Sequence, residues 1–422
     1  MNISKGLFFV AAVLVAALPV LGNAQIINTF AGSNGEGGDG GNGDGGQAIL
    51  ARLSQPALLS RDRNGSLLIA ESGANKVRSV NATGIIRTFA GDGGAGSTGD
   101  GGLATAASLG VVYQALADRS GNVYILTDSS VIRKVDTNGI ISTFAGTGVS
   151  GYSGDGGLAT NAQISTANAA AFDAADNFYF VDFSNHVVRK ISPTGIISTV
   201  AGTGATDYNG EGIAATAANF FYPSGIAVGG DGSIYVGDAG NAIVRKITPD
   251  GIINTIAGTP NSAGFRGDGG PATSARLSSI CSIALDYAGN IYFCDGSNNR
   301  VRKITRDGNI FTVVGQSRAM DTGDGEPASR ASIRATKWPW ILAISERSSY
   351  ARGLHMPFKN VSVLTGVFTF VPFAMRAKQP RSTAGTARSG RCCGISTCST
   401  WRRSARSRRG YGDDAARTGG DA

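Results

Sequence analysis

Histidine is scarce in this chain: there are two in 422 residues, and only His186 precedes residue 336, His355 lying beyond it. That excludes a His-rich zinc centre, and a Ser-His-Asp relay would rest on His186 alone, which the local pattern places in a loop. The glycine-rich stretches nowhere run into the G-x-x-x-x-G-K motif with a following Ser or Thr that cradles a phosphate, and their acids lack the nonapeptide beat of calcium-binding rolls. Positive charge is missing from most of the chain: residues 337–422 hold 15 Lys and Arg against 4 Asp and Glu, whereas residues 1–336 hold 23 against 26. A net of +11 in the tail and −3 before it leaves no basic footprint for nucleic acid. Of five cysteines, only Cys281 and Cys294 precede the tail. They fall on adjacent predicted strands, so a disulfide and a pair of buried thiols both remain open.

What is present begins with a leader. Lys5 is followed by an apolar run from Leu7 to Leu21 and then by Gly22, Asn23, Ala24 and Gln25. The pattern predicts a signal peptide over residues 1–24, cut after Ala24. The run is short of the roughly 20 apolar residues that a spanning helix needs. The expected destination is secreted or periplasmic, with no stable membrane insertion after cleavage.

The rest is dominated by repetition. IINTFAG at Ile26 returns as IIRTFAG at Ile85, IISTFAG at Ile140, IISTVAG at Ile196, IINTIAG at Ile252 and NIFTVVG at Asn309. Their last glycines are spaced by 59, 55, 56, 56 and 57 residues. A second marker, GDGG, keeps the same beat at Gly43, Gly99, Gly154 and Gly267, with GEGI at Gly210 and GDGE at Gly323. Each unit reads as four short strands rich in Ile, Val, Tyr and Phe, separated by Asp-Gly, Gly-Asn or Asn-Gly turns, which is hairpin chemistry. In Phe178 to Val181 and Ile291 to Cys294 both alternating faces are apolar. Each sheet must therefore be covered on both sides, and radial packing against neighbouring blades supplies the cover. The fold class is all-β, a β-propeller of four-stranded blades.

The markers are specific enough for a resemblance. The chain resembles the NHL repeat family in the long-loop form of bacterial extracellular proteins, the connection reading GVSGYSGDGGLATNAQI from Gly148 to Ile164. The resemblance covers about residues 26–333 and implies six blades and a protein- or ligand-binding role, with a minority of enzymatic relatives. Five blades are complete in the sequence. The strand from Ile26 to Ala31 is expected to close a sixth whose inner strands come from the chain end. Gly323, Asp324, Pro327, Ala328 and Ile333 start that unit in register, and then the pattern stops. The predicted division is a propeller over residues 25–336 and a diverged sixth blade with a basic low-complexity tail over residues 337–422. The tail reads either as native or as translation past a frameshift, and Val361 to Phe373 retains strand potential.

Candidate chemistry is repetitive. An acid closes the second strand of each unit (Glu71, Asp128, Asp182, Asp238, Asp295), and a basic pair follows: Lys76 and Arg78, then Arg133-Lys134, Arg189-Lys190, Arg245-Lys246 and Arg302-Lys303. The acid-to-Arg separation is 7 in four units and 5 in the second. Such regularity predicts a carboxylate paired with the Arg of the next strand, once per blade, while a ring of binding charges is the functional alternative. The GDGG loops are expected to be turns with Gly at positive φ and Asp bonded to nearby amides. No catalytic, cofactor or metal residue is predicted. The expected function is a secreted scaffold binding a protein, peptide or glycan, not an enzyme. The alternative is a propeller hydrolase or lyase with a carboxylate-held metal in the channel.

Overall fold

The computed structural model describes residues 27–33, 43–317, 324–325 and 327–332, together with the pairs 343–344 and 365–366. All lie in the first of two compact units, Met1–Ala374. The expected signal peptide and nearly all of the tail fall outside the described residues.

Alternating apolar runs and tight turns produce five antiparallel blades. Blade 1 comprises β1 (Pro56–Arg61), β2 (Leu67–Glu71), β3 (Lys76–Val80) and β4 (Ile86–Ala90). Blade 2 comprises β5 (Val112–Ala117), β6 (Val123–Thr127), β7 (Ile132–Val135) and β8 (Ile141–Ala145). Blade 3 comprises β9 (Ala167–Phe172), β10 (Phe178–Asp182), β11 (Val187–Ile191) and β12 (Ile197–Ala201). Blade 4 has five strands, because Ile213–Ala214 (β13) pairs outside β17 (Ile252–Ala257), after β14 (Pro223–Val228), β15 (Ile234–Asp238) and β16 (Ile243–Ile247). Blade 5 comprises β18 (Ile280–Leu285), β19 (Ile291–Asp295), β20 (Arg300–Ile304) and β21 (Ile310–Val314).

The expectation of six blades is therefore corrected to five among the described residues, mostly four-stranded with one five-stranded. Residues 27–31, expected to be an outer strand, form no strand. They act as a clasp between the end blades. Ile27 is buried with Tyr292, Cys294 and Val301 of blade 5, and Ala31 with Leu59, Leu67 and Ile69 of blade 1. Of the strand potential expected at Val361 to Phe373, only Thr365–Gly366 is described. It pairs with Ala343–Ile344, a pair that touches both β1 and β18.

Blades meet through their first strands: β1 with β5, β5 with β9, β9 with β14, and β14 with β18. Side chains seal the amide edges these strands expose. The Ser60 hydroxyl donates to the Ala115 carbonyl, Gln114 donates to Ala170 O (3.3 Å) and accepts from Ala170 N–H (2.6 Å), and Ser224 donates to the Ile280 carbonyl. The outer edge is sealed differently. Each long loop folds back on the fourth strand of its own blade through the bridges Gln47 to Ile85, Leu103 to Ile140, Leu158 to Ile196 and Pro271 to Asn309. An open strand edge is a template for aggregation, and here both edges are covered.

Because neighbouring strands are antiparallel, first-to-second and third-to-fourth hairpins share one face, here called lower. Second-to-third turns and the loops between blades share the upper face.

Candidate functional site

The predicted acid–Arg pairs form in four blades and fail in one. Arg78 Nη1 lies 3.2 Å from Glu71, Arg189 3.8 Å from Asp182, Arg245 4.0 Å from Asp238 and Arg302 3.1 Å from Asp295, every side chain fully buried. In blade 2 the turn is one residue shorter, so Thr127 occupies the buried position and Asp128 is exposed; it accepts from Val111 N–H (3.0 Å) and not from Arg133. The GDGG acid completes the cluster, a contact the sequence reading missed. Asp44, Asp100, Asp155 and Asp268 reach Arg78, Arg133, Arg189 and Arg302 respectively. Asp44, Asp100 and Asp155 also accept the amide of Thr88, Thr143 and Thr199 in the fourth strand.

A further partner was legible only in hindsight. The residue three before the loop acid covers the guanidinium: Tyr152 over Arg189 and Tyr208 over Arg245, both at 5.2 Å, and Phe265 over Arg302 at 4.9 Å. In blade 2 the same place holds Ser97, which accepts a hydrogen bond from Arg133 (2.9 Å). Arginine lies among two carboxylates and a ring in blades 3 and 5, and each other blade keeps part of that arrangement, a structural role repeated with variation.

Burial sets the titration of these acids. It pushes Asp238 and Asp295 up to about 6, against the hydrogen bonds of Asn241 and Phe221 N–H and the charge of Arg245 at the first, and against the hydrogen bond of Ser278 N–H and the charge of Arg302 at the second. A carboxyl whose folded value lies above its unfolded one contributes stability that is complete below about pH 4 and is lost as pH rises through about 6. Asp295→Asn is accordingly expected to shrink the fall in unfolding free energy between pH 4 and 7, measured by denaturant titration; an unchanged profile would refute the assignment.

Set against this regularity, the departures from the repeat gather on the upper face. The residue that ends each second-to-third turn is left-handed: Asn75, Ser130, His186, Ala242 and Asn299. Asparagine suits that conformation, and histidine is a less common occupant. The residue before the first strand is left-handed in blades 1, 4 and 5, as Gln55, Tyr222 and Ser279. Tyr222, at φ +51, is the bulkiest of these, and its ring is 45% exposed. Tyr222 stacks on Phe183 (centroids 5.2 Å apart, 26° between planes), meets His186 edge-on at 5.1 Å and touches Phe221 at 4.7 Å. Phe221 in turn occupies the space that a Cβ on Gly240 would need.

The cluster also decides what His186 can do. Tyr222 N–H donates to His186 Nδ1 (3.3 Å), and burial lowers the imidazole's pKa. The ring is therefore neutral at pH 7 with its proton on Nε2, a hydrogen-bond donor and not a general base. In the adjoining blade Tyr113 is half-buried, and burial and the charge of Asp128 hold its hydroxyl protonated. Cys281 and Cys294 are not joined by a disulfide.

The lower face carries a cleft of about 1100 Å³ lined by Arg119, Asp173, Asp231, Lys246, Tyr287 and Arg306, among others. Its polar groups mostly serve its own hairpins. Asp173 holds Asn177 and Tyr179, Lys246 lies 3.8 Å from Asp231, and Arg119 lies 3.7 Å from Asp176. Among the described residues no group of three or more His, Cys, Asp or Glu side chains is placed to hold a metal ion. The carboxylate-held metal of the alternative reading finds no donor set there. Nor is any helix among them long and apolar enough to cross a membrane.

The architecture is that of a β-propeller, and an NHL-repeat-related domain is matched over part of it: the model of the teneurin NHL domain covers residues 203–266 and 258–350. Human Teneurin-1 is 29% identical over 245 residues, 51% of this chain and 9% of that protein. Among solved structures, an auxiliary nutrient binding protein from Bacteroides ovatus matches with a TM-score of 0.52 at 15% identity, over 76% of this chain and 71% of that one. A virginiamycin B lyase from Staphylococcus aureus matches with a TM-score of 0.39 at 18% identity, over 61% and 69%. At such identities the likeness concerns the fold alone. The expectation that the chain is not an enzyme is withdrawn: it rested on fold analogy, which does not separate binding from catalysis, and a putative phosphatase from Bacteroides thetaiotaomicron shares the fold with a TM-score of 0.53 at 15% identity.

Proposed function

We propose that the chain is a ligand-binding propeller whose site is the upper mouth between blades 3 and 4. The observation that carries this is Tyr222, a bulky residue kept in a left-handed conformation with its ring partly open to solvent. Sparsely populated backbone of this kind costs about 1–3 kcal/mol and gathers at functional sites. Tyrosine offers a large rigid surface at low entropic cost, and Phe183, His186 and Phe221 hold it in place.

Tyr222→Asn and His186→Asn test the reading, since asparagine tolerates the left-handed backbone. In Tyr222→Asn the relieved strain offsets the roughly 0.5–1.5 kcal/mol of lost ring contact, so stability should stay within about 1 kcal/mol of wild type. Any ligand captured by the wild-type chain in a binding screen should be weakened at least tenfold, which is about 1.4 kcal/mol. Undiminished binding by both variants would remove the site.

A second reading, hydrolysis or elimination without a metal, is favoured by Asp128. It is the second-strand acid released from its Arg, it is exposed, and it lies close enough to Tyr113 to raise that hydroxyl's pKa. A turnover screen comparing wild type with Asp128→Asn decides it: activity equal in both would dismiss Asp128 as the acid or base.

A further inference from the structure

One polar atom near the upper mouth is left unused by the fold. Asn168 sits at the bulge of β9, between Ala167, paired with Asp182, and Ala169, paired with Val181. It is 7% exposed, and its Oδ1 is buried with no hydrogen-bond partner among the described residues. Residues at the matching bulge of the next two blades are occupied: Ser224 donates to the Ile280 carbonyl and Cys281 to the Ser279 carbonyl (2.9 Å). A buried acceptor without a donor costs about 1–3 kcal/mol, and a donor brought by a ligand would recover that.

The surroundings define what the donor belongs to. Phe183 directly follows Asp182, so the register sets it at the strand end opposite Thr166, two residues before Asn168, and its amide donates to Thr166 O (2.9 Å). The hydroxyls of Ser184 and Thr166 meet there at 3.4 Å, and the Tyr222 ring stacks on Phe183. The ionisable groups of blade 3 at this place are buried or neutral, although Asp182 Oδ2 also lacks a hydrogen bond. Asp182 accepts from Ser165 N–H (3.0 Å) and faces Arg189, Arg189 is fully buried against Asp155, and His186 is neutral. An open aromatic surface with two hydroxyls at its edge and an orphan acceptor two residues further along β9 matches a molecule with an apolar face and hydroxyl donors at its rim.

We infer that this mouth binds a neutral saccharide, one sugar ring lying against Tyr222 and a hydroxyl donating to Asn168 Oδ1. The inference rests on the ligand-binding reading above and narrows its ligand.

The test titrates the full chain calorimetrically with cellohexaose, maltohexaose, laminarihexaose, xylohexaose and chitohexaose, and in parallel with a pooled library of uncharged peptides. Wild type is compared with Tyr222→Asn and Asn168→Ala, and thermal unfolding is followed for each. The expected result is that at least one hexasaccharide binds, that both variants weaken it at least tenfold, and that Asn168→Ala melts no lower than wild type because it deletes an unpaired polar atom. Tyr222-dependent capture of peptide with no saccharide binding would overturn this inference and leave the ligand-binding reading standing. Absence of any Tyr222-dependent binding would overturn both. Saccharide binding untouched by Asn168→Ala would overturn the role given to its carbonyl.

Discussion

Replacing Arg302 by alanine is expected to lower the unfolding free energy by about 3–5 kcal/mol, the range found when one partner of a buried pair is removed. The guanidinium lies between Asp295, fully buried at 3.1 Å, and Asp268, 39% exposed at 2.8 Å, beneath the ring of Phe265. Its removal strands the Asp295 carboxylate in a dry interior, with only Ser278 N–H and Asn298 to stabilise it. Asp268 can be solvated and contributes less. Asp295→Asn is the informative contrast. It leaves Arg302 with Asp268 and keeps an acceptor for Ser278 N–H, so its cost should be the smaller of the two. Guanidinium titration of both variants at pH 7 checks the asymmetry. A loss below about 1 kcal/mol for Arg302→Ala, the scale of an exposed pair, would mean that the clusters do not anchor the blades.

Gly146→Ala should cost about 3 kcal/mol, while Gly148→Ala, two residues on, should cost about 1, the extremes of the range for strained backbone. Both glycines have positive φ, +90 and +79. They differ in what a Cβ would meet. At Gly146 it would press into the Ser130 carbonyl and lie 3.0 Å from Val131 Cα, whereas at Gly148 it would meet nothing within 4 Å. Gly146 ends the IISTFAG marker, and its N–H donates to Ala159 O (2.9 Å), tying the outer strand to the loop. Added bulk must push the third strand's turn away from the fourth. Equal losses in the two variants would show that backbone conformation, not close approach, explains the glycine in the marker.

The four-stranded unit was readable because its determinants are local. Alternating apolar residues and Asp-Gly turns act within about ten residues, and a period near 56 repeats them. The acid and Arg of one hairpin were readable for the same reason, since a short turn sets the Arg two places beyond the residue opposite the acid, diagonally across the same face of the sheet. Their failure in blade 2 follows from a turn one residue shorter and an acid one place later, which together reduce the spacing to 5. Blade number was not readable, because closure depends on residues that pair only after the chain has gone round. The clasp over residues 27–33 uses contacts with Asp324 and Ala328, some 300 positions away, that leave no periodic trace.

The same distinction holds for the site. His186 was read as a loop residue, which it is, and nothing nearby in sequence said that Tyr222, 36 positions later, would place its amide on the imidazole and its ring on Phe183. Covalent neighbours and short hairpins are encoded by patterns that a single stretch of chain displays. Contacts between blades arise from packing of units whose sequences are independent, so the aromatic mouth between blades 3 and 4 exists only once the propeller is assembled.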